Sequence, residues 1–440
     1  TYAPGDTHTV NDVLEKPFRV VMGTPWPYGW VEVQPVPAPP SGKSCKDGAW
    51  LAIDDGLIYA AKGTKTPDFY VYDPLADENG EWTQLTSWPN GAEGKPPYKG
   101  AVGVHDGTRY IYATKGNNTL GFWRYSVDSA AWRQLPDVPL GASQKRVKGG
   151  TDIVYVVEGD TGYAYLLKGY KQEFFRFNTV TGVWDTNLPP APAGAKPKWD
   201  KGSWLVYDGQ NTLYAHKAKY HELWRFDLVT HTWASSPLSG MPLVGMMGKS
   251  KKSKDGGSAA YYNGAIYALK GGNTQEFWRY QIDSASWREL DTMPMFGSTA
   301  KKKRVKAGGD IVSYGMGYFF ALKGNKTLEF WRYGERPPVV MSSQPVRGGV
   351  AGAVAAGRVS LAVVPNPLVG GRAVVRYALP AAGPLRVVVY DVAGRNVAGR
   401  SVVGARAGSV ELDLRHLSAG VYLVKVESQG MSAAQKLIVR

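Results

Sequence analysis

The sequence contains few of the residues that build disulfides, metal clusters or membrane spans. Cys45 is its one cysteine, which excludes an intrachain disulfide and the zinc-finger, iron–sulfur and CxxC types of site. No run of 18 apolar residues occurs, so the sequence predicts no membrane-spanning helix. The N-terminal residues lack a basic segment followed by an apolar one, and we expect a mature N-terminus if the protein is exported.

Groups that carry catalysis are also sparse. The histidines are scattered, and only His216 and His221 are close enough in sequence to approach each other across a loop. Two histidines without a carboxylate or thiolate at suitable spacing make a weak metal site. No phosphate-binding or dinucleotide-binding glycine motif is present. The sequence therefore predicts no catalytic residues, no metal site and no cofactor, and we expect a protein that is not an enzyme.

One sequence pattern, by contrast, occurs six times. A short strand ends in Lys-Gly or a close variant, and a polar loop, an aromatic strand such as FWRY and a strand with one Trp follow. A strand-rich period near 50 residues indicates a β-propeller with four antiparallel strands in each blade. The strand-ending lysines recur at intervals of 53, 53, 49, 53 and 53 residues and are Lys62, Lys115, Lys168, Lys217, Lys270 and Lys323.

The last repeat lacks its Trp-bearing fourth strand, and a matching strand lies near the N-terminus. Trp30 aligns with Trp132 of the second complete repeat. We therefore expect an all-β, six-bladed propeller over residues 29–336, in which the N-terminal strand closes the last blade. Residues 1–28 form an N-terminal extension. The recurring aromatic residues are expected to pack between the blades.

These features resemble the kelch-repeat propellers, which share the strand ending in Gly, the third-strand Tyr or Phe, the fourth-strand Trp and the period. One difference from the kelch repeats recurs along the chain. Kelch repeats usually have a Gly-Gly pair where this chain has Lys-Gly, and only Lys270-Gly271-Gly272 keeps both glycines. The resemblance implies a fold but no single function, because propellers host binding, scaffolding and catalysis alike.

The composition changes after Pro337. Residues 337–357 are small and predict a flexible linker, and residues 358–440 contain short alternating strands that predict an Ig-like β-sandwich. The motifs of this segment resemble the type A C-terminal sorting domain of the bacterial type IX secretion system; they are Pro365-Asn366-Pro367, VYDVAGR (Val389–Arg395), LSAGVYLVKV (Leu417–Val426) and KLIVR (Lys436–Arg440). The resemblance implies contact with the secretion machinery and a place outside the cell or on its outer surface. A generic Ig-like accessory domain is the alternative.

The formal net charge of +15 favours an acidic partner such as an anionic polysaccharide, while nucleic acid is not expected. In an antiparallel pair the end of the second strand lies beside the start of the first. The strand-ending lysines should therefore share one face of the propeller with a second set that precedes the first strands. We predict that both sets bind an anion, the second set being Lys46, Lys99, Lys148, Lys201, Lys254 and Lys306.

Each strand-ending lysine has an alternative role. Five repeats place an acidic residue before the third-strand aromatic, where the second repeat has Gly121, and a lysine can pair with that carboxylate instead of a ligand. These acids are Asp68, Glu173, Glu222, Glu276 and Glu329. Two functions stay open at this point. The first is an exported propeller that binds an acidic polymer or partner. The second is a structural subunit that self-assembles through residues 1–28, which contain the strand-like Phe18–Gly23, and through the C-terminal sandwich.

Overall fold

The structure is a computed structural model that describes residues 26–335, apart from 55 and 316, and much of 360–439. In the second range 365–367, 369–370, 380–382, 392–395, 405–406 and 429–430 are not described. The segment Phe18–Gly23, the predicted linker and Pro365–Pro367 therefore lie outside the described residues, and self-assembly through residues 1–28 stays a prediction. The described chain divides into two compact units, one before and one after residue 337.

The protein is all-β, and no helix occurs among the described residues. The strands of the first unit, in chain order, are β1 (Gly29–Val33), β2 (Trp50–Asp54), β3 (Leu57–Ala61), β4 (Phe69–Asp73), β5 (Glu81–Gln84), β6 (Ala101–His105), β7 (Tyr110–Lys115), β8 (Phe122–Ser126), β9 (Ala131–Leu135), β10 (Asp152–Glu158), β11 (Thr161–Leu167), β12 (Phe174–Asn178), β13 (Val183–Asp185), β14 (Trp204–Tyr207), β15 (Thr212–Lys217), β16 (Glu222–Asp227), β17 (Thr232–Trp233), β18 (Ser258–Tyr262), β19 (Ala265–Leu269), β20 (Phe277–Gln281), β21 (Ser286–Glu289), β22 (Asp310–Gly315), β23 (Tyr318–Leu322) and β24 (Phe330–Gly334).

These strands form four-stranded antiparallel sheets of the kind found in propellers. We number them in chain order as sheet 1 (β2–β5), sheet 2 (β6–β9), sheet 3 (β10–β13), sheet 4 (β14–β17), sheet 5 (β18–β21) and sheet 6 (β22–β24 with β1). In sheet 6 the N-terminal β1 pairs with β24, with Trp30 opposite Tyr333. The strand that the last repeat lacks is thus supplied by the other end of the unit.

Local sequence explains the hairpins within a sheet. In sheet 5, β18 and β19 are joined at Asn263 and Gly264, whose φ angles are 46° and 75°. Two consecutive residues with positive φ form the turn that matches the twist of paired strands, and Asn-Gly is the pair that adopts it most readily. Along β20 the side chains of Phe277, Trp278 and Tyr280 are buried, and they pack in the apolar clusters on the two faces of the sheet.

The first strands of the sheets contact one another in cyclic order, with β22 of sheet 6 against β2 of sheet 1. Gly308 shows how close this contact is. It has φ +80°, and a Cβ atom there would lie 2.1 Å from the carbonyl oxygen of Lys46. Only glycine allows both the left-handed backbone and this approach. Glycines before the other first strands make the same contact with the next sheet; they are Gly48, Gly100, Gly150, Gly202 and Gly256.

The fourth-strand tryptophans link neighbouring sheets at the outer side. Trp30 Nε1 donates to the carbonyl oxygen of Asp291 at 2.8 Å, which joins β1 to the segment leaving sheet 5. The equivalent indoles donate to carbonyl oxygens of the preceding connection in the same way; they are Trp82, Trp132, Trp184, Trp233 and Trp287. A buried indole N–H normally needs such an acceptor. These bonds fix each connection against the next sheet.

The second unit consists of two sheets around one apolar core that includes Val387, Val410 and Leu437. One sheet has the order β25-β26-β29 and the other β28-β27-β30-β31. Their strands are β25 (Ser360–Val364), β26 (Arg372–Ala378), β27 (Gly383–Tyr390), β28 (Asn396–Gly404), β29 (Ala407–Asp413), β30 (Gly420–Ser428) and β31 (Met431–Val439).

Candidate functional site

The strand-ending lysines are buried. Their relative exposures are 1% for Lys62 and Lys168, 2% for Lys115, and 0% for Lys217, Lys270 and Lys323. Five of them hold the connection that enters their own sheet by donating from Nζ to its backbone carbonyl oxygens. Lys62 bonds Ala38 at 2.7 Å, and Lys270 bonds Leu243 at 2.9 Å. Lys115, Lys168 and Lys217 do the same with carbonyls of Pro89, Pro139 and Pro192.

The acidic residue just before the third strand also binds the lysine in several sheets. Lys62 Nζ lies 2.8 Å from Asp68 Oδ2, which also accepts a hydrogen bond from Ser41 Oγ at 2.5 Å in the incoming loop. Burial raises the pKa of Asp68, but the hydrogen bonds from Lys62, Ser41 and Thr66 outweigh it, so its net pKa is lowered. Lys270 pairs with Glu276 at 2.5 Å, and Lys323 pairs with Glu329.

Sheet 2 lacks this acid. Lys115 has Gly121 at the acidic position, and its ammonium group lies 4.5 Å from the ring centre of Trp123. Burial lowers the pKa of Lys115 to about 8, an effect that Glu93 only partly opposes. Burial also lowers the pKa of Lys217 to about 8, because Glu222 is 3.9 Å away and compensates less than a close partner.

This burial removes the strand-ending lysines from the predicted anion site. A side chain that is 0–2% exposed and already bonded to carbonyl and carboxylate oxygens has no surface to offer a polymer. The expectation that both lysine sets form accessible rings is therefore corrected for Lys62, Lys115, Lys168, Lys217, Lys270 and Lys323. Sequence alone left this open because the acid in the following loop allowed either role.

The lysines that precede the first strands lie at the surface around the opening of a central channel. Four of them are half-buried and two, Lys254 and Lys306, are exposed. Alignment on the left-handed glycines shows that the set occupies two positions. Lys99 and Lys201 directly precede their glycine, whereas Lys46, Lys148, Lys254 and Lys306 lie one residue earlier.

A cavity of about 490 Å³ brings lysines from four sheets together at this opening. Six lysines and two aspartates line it, and these are Lys46, Lys99, Lys201, Lys303, Lys306, Lys326, Asp47 and Asp255. An adjoining cavity of about 400 Å³ adds Lys148 and Lys198, whose ammonium groups lie 5.1 Å and 5.0 Å from the ring centre of Tyr170. Lys254 lines neither of these cavities.

Asp47 and Asp255 were not predicted as site residues. The signal was present in the sequence, because Asp-Gly stands before the first strands of sheets 1 and 5 where Lys-Gly stands before those of sheets 2 and 4. The lysines occupy similar but not identical places in the repeats, so the difference of one residue between Lys-Gly and Lys-Asp-Gly is easily missed.

Two further carboxyl groups line the channel interior. Asp152 Oδ2 accepts the backbone N–H of Leu205 at 2.7 Å, and Asp310 Oδ2 accepts that of Leu51 at 2.6 Å, so each joins the first strands of neighbouring sheets. Burial raises the pKa of Asp152 to about 8 and that of Asp310 to about 6. Both groups have structural partners and are not free for a ligand.

The two histidines considered from sequence lie near each other in sheet 4. His216 is fully buried and stacked on Trp204 at 5.1 Å between ring centres, and burial lowers its pKa to about 3. His221 Nδ1 is 2.9 Å from the carbonyl oxygen of Met241. In the described part of the chain no three His, Cys, Asp or Glu side chains converge as a metal-ion site.

Comparison with known proteins identifies the C-terminal segment. Residues 362–440 match the family described as the secretion system C-terminal sorting domain, which confirms the predicted type IX sorting domain. The protein is therefore exported by this system to the cell surface or beyond it, and it interacts with the secretion machinery. Over the residues with described structure, no helix has the length and apolar character needed to span a bilayer. No curated protein matches the chain.

Solved structures similar to this chain are propeller-like and distant in sequence. A protein of unknown function from Bacteroides thetaiotaomicron is 14% identical with a TM-score of 0.48, covering 70% of this chain and 76% of its own. YjhT is 12% identical with a TM-score of 0.46, covering 68% of this chain and 95% of its own.

One similar structure corrects the prediction that the chain is not an enzyme. Luciferin-regenerating enzyme is 8% identical with a TM-score of 0.42, and the match covers 66% of this chain and 92% of the enzyme. An enzyme thus occurs among the structural matches, and the absence of a recognisable motif does not exclude catalysis. At this identity the match assigns no reaction to the chain.

Proposed function

We propose that this exported protein is a six-bladed, kelch-like β-propeller that binds an acidic polymer at or outside the cell surface through lysines around its channel opening. The domain boundaries 29–336 and 358–440, with an Ig-like sandwich in the second, are part of this proposal. The observation that carries it is the convergence of six lysines against two aspartates on one cavity.

Cyclic closure supports the propeller. The first strands contact in a ring, and the glycine contact from Gly308 to Lys46 joins sheet 6 to sheet 1 as the equivalent contacts join the other neighbours. A closed ring leaves one channel, and the starts of all first strands meet at one end of it. Residues that are far apart in the sequence therefore contribute to a single surface.

The lysines there are suited to a multivalent anion. Neither Lys148 nor Lys306 has an ion pair among the described residues, and the ammonium group of Lys148 lies 5.1 Å from the ring centre of Tyr170. Each exposed contact with an anion is worth only about 0.2–1 kcal/mol, so several must act together. Because the Debye length is about 10 Å at 0.1 M salt, binding of this kind is expected to weaken steeply as salt rises.

Binding of alginate and heparin to the full chain would test the proposal, with salt raised from about 0.05 M to about 0.5 M. The double variant Lys148→Gln/Lys306→Gln should bind about tenfold more weakly at low salt, since it loses two contacts of up to about 0.7 kcal/mol each. The matched control is Arg133→Gln/Arg288→Gln, which removes the same charge from exposed positions on β9 and β21. Equal loss in both double variants, or binding that does not respond to salt, would show that the opening is not the polymer site.

A further inference from the structure

The residues directly before the six left-handed glycines form the rim of the channel opening. In cyclic order from sheet 1 to sheet 6 they are Asp47, Lys99, Gly149, Lys201, Asp255 and Ala307. This order separates the charges. Lys99 and Lys201 flank Gly149 on one side, and Asp255 and Asp47 flank Ala307 on the other. At these six positions the charges therefore separate into a positive half and a negative half, while Lys46, Lys254 and Lys306 lie one residue before the positions of the negative half.

Electrostatic coupling across the rim agrees with this arrangement. Burial raises the pKa of Asp255 and Asp47 acts in the same direction, while Lys201, Lys99 and Lys306 act to lower it. Asp255 is therefore within electrostatic range of the other rim charges and of Lys306. The four rim charges also line the channel cavity, whose volume of about 480 Å³ falls within the range of small-molecule sites.

Three of these charged groups make no side-chain hydrogen bond or ion pair within the described residues; they are Lys99, Lys201 and Asp255. The ammonium group of Lys99 lies 5.0 Å from the ring centre of Tyr98, and Asp47 lies 3.6 Å from Lys46. The stem of Lys201 lies over Gly149, where a Cβ atom would be 2.6 Å from Lys201 Cγ. The absence of a side chain at Gly149 thus gives Lys201 room to reach toward the half that holds Lys99.

We propose that this rim binds a linear zwitterion with a carboxylate at one end and an ammonium group at the other, such as a short peptide or an ω-amino acid. The carboxylate would meet Lys99 and Lys201, and the ammonium group would meet Asp255 and Asp47. A ligand with one kind of charge makes favourable contacts with one half only, whereas a molecule with both charges makes them with both halves. This site adjoins the polymer contacts, because Lys148 and Lys306 share the outer cavities with the rim residues but do not line the channel cavity.

Calorimetric titration of the full chain at low ionic strength would test the charge requirement with triglycine, N-acetyl-triglycine and triglycinamide. Triglycine should bind, and blocking either terminus should weaken binding about tenfold, because each terminus loses its contacts with two charged residues. In a series of ω-amino acids of increasing length, the affinity should be highest at one length. Comparison of that affinity with the affinity for triglycine would show whether the peptide bonds contribute to binding. Equal binding of the blocked and free peptides, or no binding of any zwitterion in the series, would overturn the proposal.

Single substitutions test which end of the ligand each half of the rim binds. Asp255→Asn should weaken triglycine about threefold but should not weaken N-acetyl-triglycine, because it removes a charge of the same sign as that ligand. Lys201→Gln should likewise weaken triglycine but not triglycinamide. Lys254→Gln is the matched control, because it removes an exposed charge next to Asp255 that does not line the cavity. If Lys201→Gln alters tryptophan fluorescence and so the fold, Lys99→Gln replaces it. The double variant Lys148→Gln/Lys306→Gln should weaken polymer binding about tenfold and triglycine binding much less, because neither lysine lines the channel cavity. Equal loss for both ligands would show that there is one site and not two.

Discussion

Replacing Lys270 with methionine should destabilise the first unit far more than the same change at Lys115, because only Lys270 has a buried carboxylate partner. Methionine is close to lysine in size and leaves both sites filled. In Lys270→Met, Glu276 keeps one hydrogen bond, from Trp278 Nε1 at 3.0 Å, and its charge stays 4% exposed without a cation. Breaking a buried pair in this way costs about 3–5 kcal/mol.

At Lys115 two effects oppose each other. Methionine loses the hydrogen bond to the carbonyl oxygen of Pro89, which costs about 1–3 kcal/mol. Methionine also removes the cost of burying a charge. The lysine pKa falls from 10.5 to about 8 on folding, so this cost is at most about 3 kcal/mol of folding free energy at pH 7. Because Pro89 is exposed, water can replace the lost donor. We therefore expect Lys115→Met to lie within about 1 kcal/mol of the parent protein.

Urea unfolding followed by tryptophan fluorescence measures this difference. All 15 tryptophans lie between Trp26 and Trp331, so the signal reports the first unit without contribution from the sorting domain. The double variant Lys270→Met/Glu276→Gln should recover most of the loss, since the amide needs no cation and still accepts from Trp278. If both single lysine variants lose the same free energy of unfolding, carboxylate pairing does not control the cost and the reasoning is wrong.

The pH dependence gives an independent check on Lys115. Its folded pKa of about 8 is below the unfolded value of 10.5, so the unfolded chain binds more protons between these values. Stability should therefore rise with pH across this window. The rise should be absent in Lys115→Met, and its persistence there would assign it to another group.

Two further predictions concern the ring of first strands. The folded pKa of Asp152 is raised from 3.8 to about 8, so the native state binds the extra proton and its contribution to stability should fall as pH rises through this range. In Asp152→Asn the urea midpoint should decrease less as pH rises, whereas in the exposed control Asp283→Asn it should decrease as in the parent protein. Gly308→Ala should lower the unfolding midpoint far more than Gly107→Ala, because both have positive φ but only Gly308 meets a backbone oxygen. The Gly107 variant should lose about 1–2 kcal/mol, and an equal loss at Gly308 would contradict the close ring contact.

Repetition alone predicted much of the architecture. The recurring Lys-Gly, aromatic and Trp positions predicted four-stranded antiparallel sheets, and the missing last Trp predicted that the strand with Trp30 would pair with the final repeat, as it does with β24. The motifs of residues 389–426 predicted the sorting domain that the family match confirms. These inferences succeeded because strand patterns, turn residues and short motifs are local properties, and a pattern that occurs six times averages out irregularities in any one copy.

The roles of the lysines depended on tertiary structure. Whether Lys62 or Lys270 faces solvent depends on the loop that arrives from the preceding sheet, and that loop offers the carbonyl oxygens that bury the ammonium group. No pattern within a single repeat contains that contact. The same holds for the rim, where a shift of one residue separates Lys99 and Lys201 from Lys46 and Lys306.

Repeats thus specify each sheet, because hydrogen bonding and side-chain alternation act within about 50 residues. Closure of the ring decides which side chains meet at the channel, because it brings together positions from all the sheets. The charge pattern of two lysines opposite two aspartates exists only in that closed ring, where Asp47 and Asp255 become neighbours across Ala307.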